Sequence, residues 1–108
     1  MLFTVEEIQE RVKPVAEKYQ IPIVYIFGSY ARNEATNESD IDFLVETKGM
    51  PESNYWVLYG EFFEELKEAV EHEIDLVEME ALSQPKLTEC QKQFLEKMMK
   101  ERIKIFEK

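Results

Sequence analysis

Residues 21–46 read IPIVYIFGSYARNEATNESDIDFLVE, and the fold is decided in this stretch. It opens with an unbroken apolar run, 21–27, rich in β-branched and aromatic residues and of strand length, as expected for a central strand buried on both faces. Gly28 and Ser29 make the turn that follows, residues 30–35 predict a short helix, and Thr36-Asn37-Glu38-Ser39 is a polar turn. Beyond it Ile41, Phe43 and Val45 alternate with Asp40, Asp42 and Leu44. That alternation predicts a second strand with both aspartates on one face.

The use of aspartate sharpens this reading. Of 23 acidic residues only three are aspartate, namely Asp40, Asp42 and Asp75. All three sit in apolar, strand-like surroundings, SDIDFLVE and EIDLVEM, where aspartate is disfavoured. Elsewhere the chain carries its negative charge on glutamate. Short, stiff carboxylates placed only on predicted strands point to a metal site.

Working outward, Thr4 and Glu7 form a capping box flanked by Phe3 and Ile8, and Val5, Ile8, Val12 and Tyr19 follow at helical spacing. Pro14 predicts a kink or restart in that helix, because it lacks an N–H and clashes with the preceding turn. Towards the C-terminus, Tyr55, Leu58, Tyr59, Phe62, Phe63, Leu66 and Val70 keep one stripe of a long helix, with glutamates mostly off it. Residues 74–79 predict a third strand. A last segment from Pro85 reads as helical, with Cys90, Phe94, Leu95 and Met98 on its apolar side. Periodicity leaves 103–106 open between an edge strand and more helix. The expected fold is α/β (α+β): a small mixed sheet of three to four strands with flanking helices, in a single domain spanning 1–108.

Composition bounds the function. A net charge of −10 argues against direct nucleic-acid binding, since such binders present basic surfaces. The charge is uneven: residues 1–85 hold 6 basic and 19 acidic side chains, residues 86–108 hold 7 and 4. A lone Cys90 forms no internal disulfide and fits a reducing cytosol. There is no signal peptide and no apolar run of the ~20 residues a membrane span needs, so the expected location is cytoplasmic, with no membrane partner.

The residues also suggest a chemistry. Positions two apart on a strand lie about 7 Å apart and point the same way, so Asp40 and Asp42 can reach one site and a neighbouring strand can add Asp75. Crowded carboxylates repel and raise each other's pKa unless cations lie between them, and oxygen-only ligands select Mg²⁺ or Mn²⁺. Two such ions can clamp the attacking and leaving oxygens of a phosphoryl or nucleotidyl transfer. The Gly28-Ser29 turn offers backbone N–H groups to phosphate, and Arg32, one of three arginines, adds a forked cation. Other features have ordinary readings. His72, the one histidine, fits a surface or capping position, Cys90 a helix core, and the glutamate-rich helix a solvated face.

Gly28-Ser29-Tyr30-Ala31-Arg32, ten residues between Ser29 and Asp40-Ile41-Asp42, and then Ile74-Asp75-Leu76-Val77 resemble the minimal nucleotidyltransferases of the DNA polymerase beta superfamily. Among these the chain is most similar to the MntA-type antitoxins of HEPN/MNT toxin–antitoxin pairs, over nearly its whole length. The resemblance implies the polymerase beta-like palm fold and an Mg²⁺-dependent enzyme with two ions. Asp40 and Asp42 would bind metal; Asp75 would complete that site and help activate the nucleophile. Gly28, Ser29 and Arg32 would hold the triphosphate of ATP or another NTP. The implied reaction transfers AMP to a tyrosine of a cognate HEPN ribonuclease, silencing it. Asn33 stands where such sequences usually carry glycine, a departure that asparagine's tolerance of left-handed angles softens. The alternative is a binding module that neutralises the partner by contact alone.

Overall fold

A computed structural model describes residues 3–48, 52–79 and 88–108. Helix α1 spans Val5–Lys18, strand β1 Ile23–Phe27, β2 Ile41–Glu46, helix α2 Tyr55–Val70, β3 Ile74–Glu78, helix α3 Glu89–Glu101 and β4 Ile103–Glu107. A short 3-10 turn, Glu52–Asn54, precedes α2. The four strands form one mixed sheet in the order β3-β2-β1-β4. β1 lies antiparallel to both β2 and β4, whereas β2 and β3 run parallel, joined through α2 as parallel neighbours require.

The period-2 pattern sorts the side chains onto two faces. Val24 and Ile26 of β1 and Ile41, Phe43 and Val45 of β2 join the core with Ile8, Val12 and Ala16 of α1 and Phe62, Leu66 and Val70 of α2. The opposite face carries Phe27 and Leu44, which pack on Met98 and Leu95 of α3. Leu44 shares a face with Asp42 yet is fully buried, because α3 covers that part of the sheet.

α1 begins at the anticipated box: Thr4 accepts from the Glu7 N–H and Glu7 from the Thr4 N–H. It does not restart at Pro14. The helix runs unbroken through this residue, whose exposed position costs it one hydrogen bond while Val12 and Ala16 on either side stay buried. Residues 30–35 form no helix. The chain makes a single helical turn, Arg32 N–H to Gly28 C=O, and Asn33 at φ 60° then closes it. Glu34 N–H bonds back to Ser29 C=O and Asn33 N–H to Tyr30 C=O, the two bonds of a Schellman ending. Asn33 therefore takes the left-handed position itself.

Cys90 is exposed rather than in the helix core. It lies in the first turn of α3, which Thr88 and Gln91 cap reciprocally, and the helix meets the sheet further along, at Leu95 and Met98. The tail is a strand, β4, with Ile105 and Phe106 buried across a register irregularity opposite Val24 and Tyr25. Pro85 lies outside the described residues. No described helix is long and apolar enough to cross a membrane.

Candidate active site

Three chain segments meet at one end of the sheet, where β1 leaves and β2 and β3 begin. In the ladder Asp42 is the Cα partner of both Phe27 on β1 and Asp75 on β3. A carboxylate on β2 is thus flanked by the residue before Gly28 on one side and by a second carboxylate on the other. Asp40 sits two residues before Asp42, just outside the strand, exposed like Asp75; Asp42 is half-buried. Sequence reasoning placed these three together, and the structure brings them to the same sheet end.

Gly28 is fixed by this neighbourhood. Its φ is 74°, and a Cβ built there would lie 2.1 Å from Asp42 Oδ2, so only glycine lets the turn pass against the carboxylate. Beyond it, among the described residues, the backbone N–H groups of Ser29, Tyr30 and Ala31 donate none of the turn's backbone hydrogen bonds. The Tyr30 side chain points into the core, and its buried hydroxyl has no hydrogen-bond partner.

The electrostatics are those of a site short of positive charge. Burial raises the Asp42 carboxyl from 3.8 to about 6; Asp75 and Asp40 push it the same way, Arg32 opposes, and Glu101 adds to the rise. Arg32 does not reach out alone. Its Nε donates to Glu34 at 3.2 Å and its Nη1 to Glu101 at 2.7 Å. Glu101 is the last residue of α3, and its side chain is 16% exposed. The sequence reading missed this partner. The available signal was a glutamate on the apolar stripe of a helix, seven residues after Phe94 and three after Met98.

On its other side Asp40 borders a cleft of about 590 Å³ that Phe3, Glu7, Arg11, Glu38, Glu71 and Glu73 help to line. Among the described residues, the one arginine lining it is paired with Glu71, so carboxylates dominate there. The expected phosphate donors Gly28, Ser29 and Arg32 do not line this cleft. His72 takes the capping position expected of it: Nδ1 lies 2.7 Å from the C=O of Val70, the last residue of α2, and the half-buried ring packs between Phe3 and Tyr30.

Whether the residues suit a metal follows from the donor set. Among the described residues no three His, Cys, Asp or Glu side chains already close on one point as a finished cage. Three carboxylates nonetheless gather at one sheet end, and one is forced towards its neutral form by burial and by the other two. A hard divalent cation relieves that strain with oxygen ligands alone, so the residues fit.

Comparison with known proteins identifies the family. The sequence profile described as polymerase beta, nucleotidyltransferase matches residues 10–108. The chain belongs to the polymerase beta nucleotidyltransferase family. Members of this family typically use a divalent metal. A Methanocaldococcus jannaschii chain, named provisionally as a protein adenylyltransferase, is 37% identical over 86 residues, which cover 76% of this chain and 85% of the relative. The protein adenylyltransferase MntA of Thermococcus cleftensis is 32% identical over 69 residues, covering 60% and 70%. The same fold occurs in a toxin–antitoxin structure solved with AMP-PNP, at TM-score 0.65 and 17% identity, covering 93% of this chain and 73% of that one. It occurs also in the complex of tri-AMPylated Shewanella oneidensis HEPN toxin with MNT antitoxin, at TM-score 0.61 and 15% identity, covering 97% and 74%. This polymerase beta-type nucleotidyltransferase shares with both the helix-flanked mixed sheet.

Proposed function

We propose that this nucleotidyltransferase is a protein adenylyltransferase antitoxin, which moves AMP from ATP to a tyrosine of a cognate HEPN-type toxin in the cytoplasm. A single domain, residues 1–108, carries the activity. The observation behind this reading is the pairing of Asp42 with Asp75 in the parallel ladder, beside a turn where Gly28 admits the Asp42 carboxylate. Relatives named protein adenylyltransferase, one of them MntA, support the acceptor class.

In this reading Asp40, Asp42 and Asp75 would hold Mg²⁺ ions, which when bound would supply countercharge to the triphosphate and to the three carboxylates. The Gly28-Ser29 turn donates its backbone N–H groups to phosphate oxygens, and Arg32 presents the donors its glutamates leave open. The tyrosine oxygen attacks the α-phosphorus, the α–β phosphoanhydride breaks, and pyrophosphate leaves with the bonding electrons. Asp75, exposed at the rim, takes the phenolic proton. Asp42, half-buried against Gly28, keeps its position rather than swinging to exchange protons. The test is mass spectrometry of a HEPN partner co-expressed with this chain. AMP on a partner tyrosine, absent with Asp42→Asn, is the expected result; an unmodified partner that is nonetheless silenced would refute the enzymatic reading.

A further inference from the structure

Arg32 has five N–H donors, and among the described residues two are used, one by Glu34 and one by Glu101. The two contacts differ in kind. Glu34 is two residues away, largely exposed, and bonds at the longer distance. Glu101 comes from the far end of the chain, 69 residues on, is largely buried, and bonds at 2.7 Å. A short charge-assisted bond to a shielded carboxylate holds a guanidinium in one orientation, whereas an exposed pair barely restrains it.

The anchor is itself anchored. Glu101 ends α3, Met98 one turn earlier is fully buried against Phe27 and Leu44, and the chain passes directly into β4 beside β1. Its carboxylate therefore stands on the same sheet that carries Asp42, and both Glu101 and Arg32 lie close enough to act on the Asp42 charge. An unrestrained arginine on a one-turn loop loses much side-chain freedom on binding phosphate; a pre-oriented one loses less.

We infer that Glu101 is a positioning residue for nucleotide transfer: it fixes the Arg32 guanidinium beside Asp42 with its three unused N–H groups turned to the triphosphate. This deepens the proposed function and rests on Arg32 being a phosphate ligand. Glu101 acts chiefly through where its oxygen accepts the hydrogen bond, at a set reach from α3, and not through a field of its charge on ATP. A rival role follows from the same geometry, in which its negative charge acts as a brake that neutralises Arg32 and repels ATP. The two roles predict opposite orders for conservative variants.

The experiment measures affinity for ATP with Mg²⁺ by calorimetry, with folding checked by circular dichroism. Glu101→Ala weakens binding roughly tenfold, a charge-assisted bond's worth. Glu101→Gln, which keeps an acceptor at the same reach, stays within about threefold, while Glu101→Asp, which keeps the charge but shortens the arm, falls nearer to alanine. In the Arg32→Ala background Glu101→Ala adds less than about twofold, because the two residues act as one unit. Should Glu101→Ala fail to fold, the Gln and Asp variants decide alone. Tighter binding by Glu101→Gln, or a loss in Glu101→Ala that adds in full to that of Arg32→Ala, overturns the inference. Unchanged binding in Arg32→Ala by itself would instead remove the phosphate role of Arg32 on which the inference rests.

Discussion

Asp42 is held where its charge is least welcome. Half-buried against the Gly28 turn and flanked by Asp75 and Asp40, its carboxyl titrates at about 6 instead of 3.8. In metal-free protein the folded state therefore keeps a proton between about pH 4 and 6 that the unfolded chain has already lost. More protons bound in the folded state means that stability falls as pH rises through this window. The deficit is absent below about pH 4 and complete above about pH 6. Asp42→Asn, which cannot ionise, should escape it. Metal-free melting scans should find the variant gaining on wild type by several degrees, roughly 5 °C, between pH 4.5 and 7.5, while nucleotide transfer is abolished. A stability gap of the same size at both pH values would show that the Asp42 charge carries no such cost. The same crowding explains the glycine, since a methyl group at position 28 would occupy the place of Asp42 Oδ2.

The helices divide labour between core and site. α2 is a packing helix: Phe62, Leu66 and Val70 are fully buried on its inner side, and Tyr55 ties its start to Thr47, at 3.0 Å, and to Glu78. Gly60 lies on the outer side, exposed, and among the described residues nothing beyond its chain neighbours and its own helix backbone comes within 4 Å of where its Cβ would be. Its backbone is ordinary helix, so the cost of glycine has no compensating contact. Gly60→Ala should stabilise by about 1 kcal/mol, seen as a rise of about 4–8 °C in melting temperature with transfer unchanged; a fall would mean that α2 carries a contact at that position. α3 is attached more lightly, through Met98 and Leu95, with Phe94 half exposed on Phe27. Its Thr88–Gln91 box therefore matters to the site as well as to the helix, because α3 delivers Glu101. Thr88→Ala should cost about 1 kcal/mol and weaken ATP binding along with it. Loss of stability with ATP affinity intact would show that the site does not depend on how α3 is seated.

At the scale of the molecule, the proposed function makes chemistry and partner contact separable. Asp75 is exposed on β3 and can be neutralised without touching the Asp40–Asp42 pair. A base acts chiefly in the transition state, so Asp75→Asn should still bind Mg²⁺-ATP through Asp40 and Asp42 within a few-fold of wild type, transfer AMP at a severely reduced rate, and still bind the partner. Cells carrying the toxin should then lose protection. Full protection by this variant, folded and partner-bound, would favour neutralisation by contact alone.

Much of this was legible from residues alone. The apolar run 21–27, the alternation across 40–45, the stripe of α2 and the Thr4 box each express a local periodicity or cap, and such patterns survive without tertiary information. The aspartates stood out because aspartate is disfavoured on strands and the chain uses glutamate for its negative charge elsewhere. Where local and global forces competed, local reading failed. Pro14 stays inside α1 because Ile8, Val12 and Ala16 are buried together and outweigh one missing hydrogen bond. Residues 30–35 stop after one turn because Asn33 takes the left-handed angle. The tail 103–107 carries no decisive period of its own; it is a strand because the edge of β1 offers open hydrogen-bonding groups. The Arg32–Glu101 pair spans 69 residues, and only the folding of α3 and β4 against β1 brings those two side chains within 2.7 Å.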